Sequence, residues 1–263
     1  MNDFRLRLPL ALTALPLVAF LVLPLAGLLL RASGADILAT FMGEQAAQAI
    51  ALSVKTTLTA VCCAVILGTP LAYLIARKKF PGKSVLDALV DLPVVLPPSV
   101  AGIALLVTFG RRGVLGGMLA SLGIELPFTQ AAVVMAQVFV AAPLYVRTVA
   151  VAFAAVDRDL ELAAAIDGAS RWQSFWRVTL PLSLRGVVGG AIMTWARALG
   201  EFGATIIFAG NFPGRTQTMP LAIYMGFELE LRVALTLAAI LLVTSFAVLA
   251  LVKGLSGRWI ETA

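Results

Sequence analysis

Long apolar blocks separated by short polar stretches make up most of the 263-residue sequence. Six of these blocks are long enough to cross a bilayer core of about 30 Å, because a helix rises about 1.5 Å per residue. The blocks lie at about 9–30, 49–76, 85–109, 128–153, 184–210 and 231–251. The pattern therefore predicts an all-α integral membrane protein with about six transmembrane helices. We expect residues 1–263 to form a single domain.

Two of the blocks differ from a simple straight span. Proline removes a backbone donor and clashes with the preceding turn, so residues 85–109 are not expected to form one straight helix. The prolines in that block are Pro93, Pro97 and Pro98. The first block follows Arg5 and Arg7 and could be a signal peptide, but its length favours a first span. Residues 221–230 form a partly apolar amphipathic piece before the last block.

Composition and charge agree with a membrane protein and predict its orientation. The chain is 60% hydrophobic and only 13% charged, with a mean hydropathy of +0.98. With the N-terminus inside, one side collects Arg5, Arg7, Arg77, Lys78, Lys79, Lys83, Arg147, Arg158, Arg171, Arg177, Arg185, Lys253 and Arg258. The opposite side collects Arg31, Arg111, Arg112, Arg215 and Arg232. This bias predicts a multi-pass protein of the cell (inner) membrane with both termini in the cytoplasm.

Several kinds of chemistry are excluded or disfavoured by the composition. The sequence contains no histidine, which excludes histidine-based catalysis and most zinc sites. Cys62 and Cys63 are adjacent and would point apart on a helix, so they indicate packing residues and not a disulfide or metal site. No G-x-x-x-x-G-K-[ST] loop and no nucleic-acid-binding pattern occurs. We therefore expect no catalytic or metal-binding residues, no cofactor and no ATP hydrolysis by this chain.

The longest polar interruption, residues 157–181, predicts two short helices joined at a glycine. Strong helix formers fill 160–165, and Gly168 suits a helix C-terminus because it can adopt positive φ. Ser170 is a plausible N-cap for the second helix, and Pro181 can stand in the first turn of the next one. Three aromatic residues share one face at helical spacing: Trp172, Phe175 and Trp176. An ordinary loop whose aromatics rest at the membrane surface would also fit this pattern.

The spacing within this stretch resembles the E-A-A-x-x-x-G-x9-I-x-L-P loop of permease subunits in bacterial and archaeal ABC importers. Ala163-Ala164 precede Gly168 at the family's spacing, and Val178-Thr179-Leu180-Pro181 follow it. Leu162 stands where the family usually has Glu, and the acid lies one residue earlier at Glu161. In that family the loop forms cytoplasmic coupling helices that dock on a separate ATPase. The resemblance implies a coupling role for Glu161, Ala163, Ala164, Gly168, Ala169, Trp172, Phe175 and Pro181.

Charged and hydroxyl side chains within the apolar blocks are candidates for a translocation pathway or gate. Arg197 and Glu201 stand four residues apart, where they could pair, because an unpaired charge in a membrane costs at least a few kcal/mol. The pair could be purely structural or could gate an anion pathway. Gly200 and Gly203 flank Glu201 and permit close helix approach or a local break. Thr205 follows in the same segment.

A second polar group lies near the predicted outer end of the second block. Lys55 could extend to the lipid headgroups, or it could attract an oxyanion together with Ser53 and Thr56. A transported anion needs donors and compensating charge, yet binding weak enough to allow release. The candidate pathway or gate residues are therefore Ser53, Lys55, Thr56, Arg197, Glu201 and Thr205.

Three longer stretches resemble the permease subunits of molybdate and tungstate importers and, in part, those of sulfate importers. They are 67–102, 197–205 (R-A-L-G-E-F-G-A-T) and 210–224 (G-N-F-P-G-R-T-Q-T-M-P-L-A-I-Y). The resemblance implies the type I importer permease fold, a homodimer with the pathway between its copies, and a periplasmic or extracellular molybdate/tungstate-binding protein. It also implies two ATP-binding cassette ATPase subunits, which would bind ATP and magnesium. The alternatives are a sulfate or other oxyanion permease, an ATP-independent anion channel or secondary carrier, and a membrane enzyme built on Glu201.

Overall fold

All regular structure in the described residues is helical. The computed structural model describes residues 3–32 and 43–260, and the side chains over 12–32 and 43–250. The helices are α1 (Asp3–Arg31), α2 (Glu44–Arg77), α3 (Lys83–Val95), α4 (Pro98–Phe109), α5 (Gly116–Ser121), α6 (Gln130–Ala155), α7 (Arg158–Ile166), α8 (Arg171–Ser174), α9 (Leu180–Leu182), α10 (Leu184–Leu199), α11 (Gly203–Phe208), α12 (Met219–Leu229) and α13 (Leu231–Ile260). A π-helical turn, Phe175–Thr179, joins α8 to α9. The all-α prediction is confirmed.

Four helical segments are long and apolar enough to cross a membrane unaided. They are Leu12–Arg31, Glu44–Arg77, Gln130–Ala155 and Leu231–Ala250. Two bent helix pairs bring the number to six if each pair counts as one span. Helices α3 and α4 meet at 114°, and the segment Arg171–Leu182 meets α10 at 71°. The predicted number of spans is thus reached only if two bent pairs are counted, and the second pair overlaps residues 157–181 and ends before 210.

The break in the third predicted span lies at Leu96 and Pro97. Both residues have extended backbone, with ψ of 138° at Leu96 and 135° at Pro97. Each of them precedes a proline, which disfavours helical backbone at the residue before it. Pro93 remains inside α3 without ending it. The predicted break is confirmed, and the consecutive prolines, Pro97 and Pro98, account for it.

The span expected over 184–210 is broken, at the place where Gly200 and Gly203 permit a local break. Helix α10 ends at Leu199 with Gly200 as its C-cap, and α11 begins only at Gly203. The start of α11 packs directly on α4, where a Cβ at Gly203 would stand 2.7 Å from the Cβ of Pro98. The backbone break places α11 against α4 at a distance that a larger side chain would prevent.

Helices α2 and α6 form the centre of the bundle, with α10 packed against both. Small residues of α2 allow the close approach, as is common for helices in membranes. A Cβ at Gly68 would stand 2.8 Å from Cδ1 of Tyr145, whose hydroxyl lies 2.7 Å from Thr69 Oγ1. Cys62 and Cys63 are both free, the former exposed and the latter partly buried. The C-terminal ends of α2 and α6 flank residues 157–181 and support them.

Candidate functional site

Residues 157–181, called the docking loop below, form the predicted helix–glycine–helix elbow. Asp157 caps the first helix, α7, through its side chain. Gly168 has φ of +87°, a left-handed conformation that suits glycine, so its predicted role is confirmed. Ser170 caps α8: its hydroxyl accepts from the backbone N of Gln173 at 3.3 Å, and Gln173 Oε1 accepts from Ser170 N at 2.8 Å. This reciprocal capping box fixes the start of α8.

The far end of the docking loop runs into the membrane without an intervening irregular stretch. Phe175–Thr179 form a π-helical turn that leads directly into α9. Pro181 lies in the first turn of α9, where its missing donor has little cost. The chain then bends into α10. Movement of the elbow is therefore mechanically joined to the membrane segment that follows it.

Glu161 points inward and ties the docking loop to the end of α2. Its Oε1 lies 3.0 Å from Arg77 Nη2 and accepts from Thr179 Oγ1 at 2.5 Å. Arg77 Nη2 also donates to the carbonyl oxygen of Val156 at 2.8 Å, and the Arg77 side chain is 5% exposed. One carboxylate thus connects α7, the π-helical turn and α2.

The three aromatic residues of the docking loop are in mutual contact but do not all face the same way. The rings of Trp172, Phe175 and Trp176 have centroids 5.5–6.3 Å apart. Phe175 is partly buried and makes edge-on contacts with Tyr73 of α2 at 5.2 Å and Phe153 of α6 at 5.9 Å. Trp172 and Trp176 are 67% and 50% exposed. Phe175 therefore anchors the loop, and the tryptophans offer an outward apolar surface.

The outer surface of α7 continues this exposed apolar area. Leu162 and Ile166 are 60% and 86% exposed, and Ala163 is also exposed. Ala164 and Ala169 are partly buried. Exposed apolar area of this kind marks a site of contact with another protein or with the membrane surface. The docking loop thus has a polar inner face, fixed by Glu161, and an outer face with apolar residues available to a partner.

A charge cluster between α3 and α6 was not singled out as a site by sequence reasoning. Arg147 of α6 donates from Nη1 to Asp87 Oδ1 at 2.9 Å and from Nη2 to the Asp87 carbonyl at 2.6 Å. It also holds Asp91 through Nε at 2.5 Å and Nη2 at 2.7 Å, a two-pronged pair. Two carboxylates stand four residues apart on a largely apolar helix, where they need a positively charged partner. This pattern is the signal in the sequence that could have identified the cluster.

Arg197 and Glu201 form the predicted pair, and the pair spans the break between α10 and α11. Arg197 Nη1 lies 2.9 Å from Glu201 Oε2. The other carboxylate oxygen accepts from the backbone N of Ala204 at 2.9 Å, inside α11. The Glu201 side chain is 1% exposed and that of Arg197 35%. The pairing is confirmed, whereas a gating role stays a prediction.

The hydroxyl groups near Lys55 form hydrogen bonds with other groups of this chain. Lys55 is exposed and donates to Gln130 Oε1, at the start of α6, at 2.9 Å. Ser53 and Thr56 are each 1% exposed. Ser53 Oγ accepts from the backbone N of Met219 at 2.7 Å, and Thr56 Oγ1 donates weakly to the Ser53 carbonyl at 3.4 Å. The Ser53 hydroxyl therefore supports the packing of α2 on α12, whereas the Thr56 hydroxyl bonds within α2.

Thr205 is also buried, at 0% exposure, and its Oγ1 has no hydrogen-bond partner within the described part of the chain. It lies in α11, in the turn after Glu201. No hydrogen bond or ion pair among the described residues joins the Lys55 group to Arg197 or Glu201. The structure therefore leaves the predicted pathway residues in two separate groups.

Comparison with known proteins identifies relatives over most of the chain. Residues 68–260 match the family model described as "Binding-protein-dependent transport system inner membrane component". The molybdenum transport system permease protein ModB of Mycobacterium tuberculosis is 41% identical, over 89% of both chains. A probable sulfate transport system permease protein, cysT of Chlorokybus atmophyticus, is 38% identical over 84% of this chain and 78% of that protein.

A solved structure confirms the predicted fold. A chain in the crystal structure of a bacterial alginate ABC transporter, in complex with an alginate pentasaccharide-bound periplasmic protein, superposes with a TM-score of 0.77. The superposition covers 98% of this chain and 95% of that chain at 19% identity. The bundle described above, with its two bent spans, is thus the fold of an ABC importer permease.

Proposed function

Because the chain belongs to the family of binding-protein-dependent transport system inner membrane components, we propose that it is the permease subunit of an ATP-driven importer of molybdate or tungstate. The observation that carries the substrate is the 41% identity to a molybdenum transport permease over 89% of both chains. Sulfate is the second candidate, because a sulfate permease is 38% identical over 84% of this chain. The multi-pass apolar helices agree with a pathway through a membrane.

The energy for transport enters through a partner in this proposal. The chain has no phosphate-binding loop of the G-x-x-x-x-G-K-[ST] type, so ATP and magnesium bind to a separate ATPase subunit. The exposed apolar residues of the docking loop, Leu162, Trp172 and Trp176, are the surface for that subunit. Glu161 and Phe175 pass its movement to α2 and α6 through the contacts described above.

The transporter contains two copies of this chain and two ATPase subunits, with the pathway between the two permease copies. ATP binding brings the ATPases together, moves both docking loops and reorients the membrane helices between outward and inward access. The positive-inside bias of the sequence supports a cytoplasmic docking loop and cytoplasmic termini. A periplasmic or extracellular binding protein delivers the oxyanion to the opposite face. The bilayer is that of the cell (inner) membrane.

Two described groups are suited to contact the anion along this route. Lys55 offers an exposed ammonium group in the N-terminal half of α2, the half away from the docking loop. Arg197 is only partly buried and its charge is balanced by Glu201, so it can attract an anion without holding it permanently. We assign attraction to Lys55 and gating to Arg197 and Glu201. Thr205, with its free hydroxyl, lies beside the gate.

The test is ATP hydrolysis by the chain reconstituted with its candidate ATPase and binding protein, measured with molybdate, tungstate or sulfate. Stimulation by the loaded binding protein for one anion, above that by the empty protein, supports the importer and identifies its substrate. Stimulation by sulfate alone favours the second candidate. Anion flux through the chain alone, without association with any ATPase, would overturn the proposal in favour of a channel or secondary carrier.

The docking surface is tested separately by substitution of an exposed aromatic. Trp172→Ala removes a ring that is 67% exposed in the loop, and binding of the ATPase should weaken by about tenfold. Phe246→Ala is the matched control, because Phe246 is 70% exposed on α13. Equal affinity of the two variants for the ATPase would place the docking surface elsewhere.

A further inference from the structure

A cavity of about 450 Å³ lies between the end of α2 and the docking loop. Its lining includes four cations and one carboxylate: Arg77, Lys78, Arg158, Arg171 and Glu161. The remaining lining is mostly small or apolar. The cavity is distinct from the Lys55 and Arg197 groups assigned to the transport pathway, and no role proposed above uses its open space.

Within the described part of the chain, ion pairs balance only part of the positive charge of the cavity. Glu161 is already engaged by Arg77 and by Thr179. Among the residues that the structure describes, no carboxylate forms an ion pair with Lys78, Arg158 or Arg171. Three exposed cations therefore line one concave space, and their combined positive charge favours an anionic occupant.

Two buried polar atoms of the lining also have no partner within the described residues. They are Nε of Arg77, whose side chain is 5% exposed, and Oγ of Ser174, which is 8% exposed. A buried donor left without an acceptor costs roughly 1–3 kcal/mol, so such groups are normally satisfied. Both belong to residues that line the cavity. They are donors without an acceptor, beside unpaired positive charge.

We propose that the cavity is a binding site for a tetrahedral oxyanion, either free or as the phosphate of a lipid headgroup. Arginine side chains bind such groups through parallel N–H donors, and Lys78 adds a point charge. A free tetrahedral ion occupies only part of 450 Å³, and the remaining space admits ordered water or the ester group of a lipid. The bound anion bridges α2 with α7 and α8, so its occupancy fixes the position of the docking loop. The site lies on the docking loop, but its binding of an anion does not depend on the transport function proposed above.

The experiment is titration calorimetry of the purified full-length chain with inorganic phosphate in lipid-free detergent. Arg171→Gln should weaken phosphate binding by at least about tenfold, because it removes a charged donor. Ser174→Ala should weaken it less. Arg177→Gln is the control, since Arg177 is an exposed arginine of the same loop that does not line the cavity. The affinity of Arg177→Gln for phosphate should stay within about twofold of that of the unmodified chain. Unliganded thermal midpoints identify any variant that has misfolded.

A second arm distinguishes the source of the anion. The same titration is made in nanodiscs of phosphatidylcholine and of phosphatidic acid. If inorganic phosphate still binds in nanodiscs of both lipids, the site is assigned to a free anion. If phosphate binding is lost in phosphatidic acid but kept in phosphatidylcholine, the site is assigned to a lipid phosphate. No response to phosphate up to about 10 mM in detergent overturns the proposal. Equal effects of Arg171→Gln and Arg177→Gln also overturn it. The proposal is also overturned if phosphate binding disappears when the ATPase subunit is added, because a carboxylate of that subunit then fills the cavity.

Discussion

Substitution of Gly168 tests whether the backbone geometry of the docking loop couples ATP hydrolysis to transport. Gly168 has φ of +87°, and no atom lies within 4 Å of the position that a Cβ would occupy. A side chain there would therefore meet backbone strain alone and no neighbouring group. That strain is roughly 1–2 kcal/mol for an ordinary residue, larger for a β-branched one and smaller for asparagine.

This penalty predicts different outcomes for two side chains of similar size. Gly168→Val should shift the equilibrium between the native elbow and other backbone conformations by at least about 5- to 30-fold toward the latter, the ratio that corresponds to 1–2 kcal/mol. Gly168→Asn tolerates the left-handed conformation and should retain most of the native elbow. The assay is anion uptake per ATP hydrolysed in liposomes that contain the chain, its ATPase and the binding protein. We expect Gly168→Val to insert and to permit ATP hydrolysis while uptake per ATP falls, and the shift in this equilibrium sets the largest possible loss.

Two results would refute this reasoning. Normal uptake per ATP by Gly168→Val would mean that the elbow geometry does not control coupling. An equal loss in Gly168→Asn would mean that the side chain obstructs a partner surface, since both variants would then fail regardless of backbone preference. Quantification of inserted protein separates either result from a failure of biogenesis.

Three further predictions concern stability, measured by thermal or denaturant unfolding of the purified chain in detergent. Glu161→Ala removes the carboxylate that pairs with the guanidinium of Arg77, whose side chain is 5% exposed, so we expect the free energy of unfolding to fall by about 2–3 kcal/mol. Glu161→Gln keeps an acceptor and should lower it less. Equal losses in the two variants would contradict this reasoning. Arg147→Lys cannot bind Asp91 through two donors, and its free energy of unfolding should fall by about 1–2 kcal/mol. Unchanged stability would show that these partly exposed ion pairs contribute nothing. Gly203→Ala places a Cβ 2.7 Å from a proline of α4 and should cost about 1–3 kcal/mol. Its control, Gly189→Ala, faces open space inside a helix and should stabilise by up to about 1 kcal/mol.

The docking loop was the part of the molecule most accessible to prediction, because its signals are local. Gly168 at a left-handed position, Ser170 as N-cap and Pro181 in a first turn each follow from the residue itself and its immediate neighbours. The number of spans followed from the length of the apolar blocks, which needs no knowledge of packing. The pairing of Arg197 with Glu201 was also local, since the two residues are four apart.

The features that sequence reasoning missed depend on contacts between distant parts of the chain. Gly200 and Gly203 permitted a break within 184–210, but the packing of α11 on α4 could not be read from that segment alone. Arg147 meets carboxylates 56 and 60 residues earlier, and Lys55 meets Gln130 75 residues later. No periodicity within one segment carries this information. The cationic cavity is likewise assembled from α2, α7 and α8, and it exists only once these helices are packed.

The acid of the docking loop, Glu161, stands one residue earlier than is usual in the family, and this shift changes the direction in which the carboxylate faces. Adjacent residues on a helix point about 100° apart, so Glu161 and Leu162 cannot face the same way. Here Glu161 faces inward to Arg77, and Leu162 is 60% exposed. An acid in the register usual for the family would therefore lie on the outer face. In this chain the carboxylate instead holds the loop to its own membrane helix, and the outer face of α7 offers an apolar side chain. We infer that at the position of Leu162 docking on the ATPase relies on apolar burial and not on charge, and that the contribution of this residue is insensitive to salt.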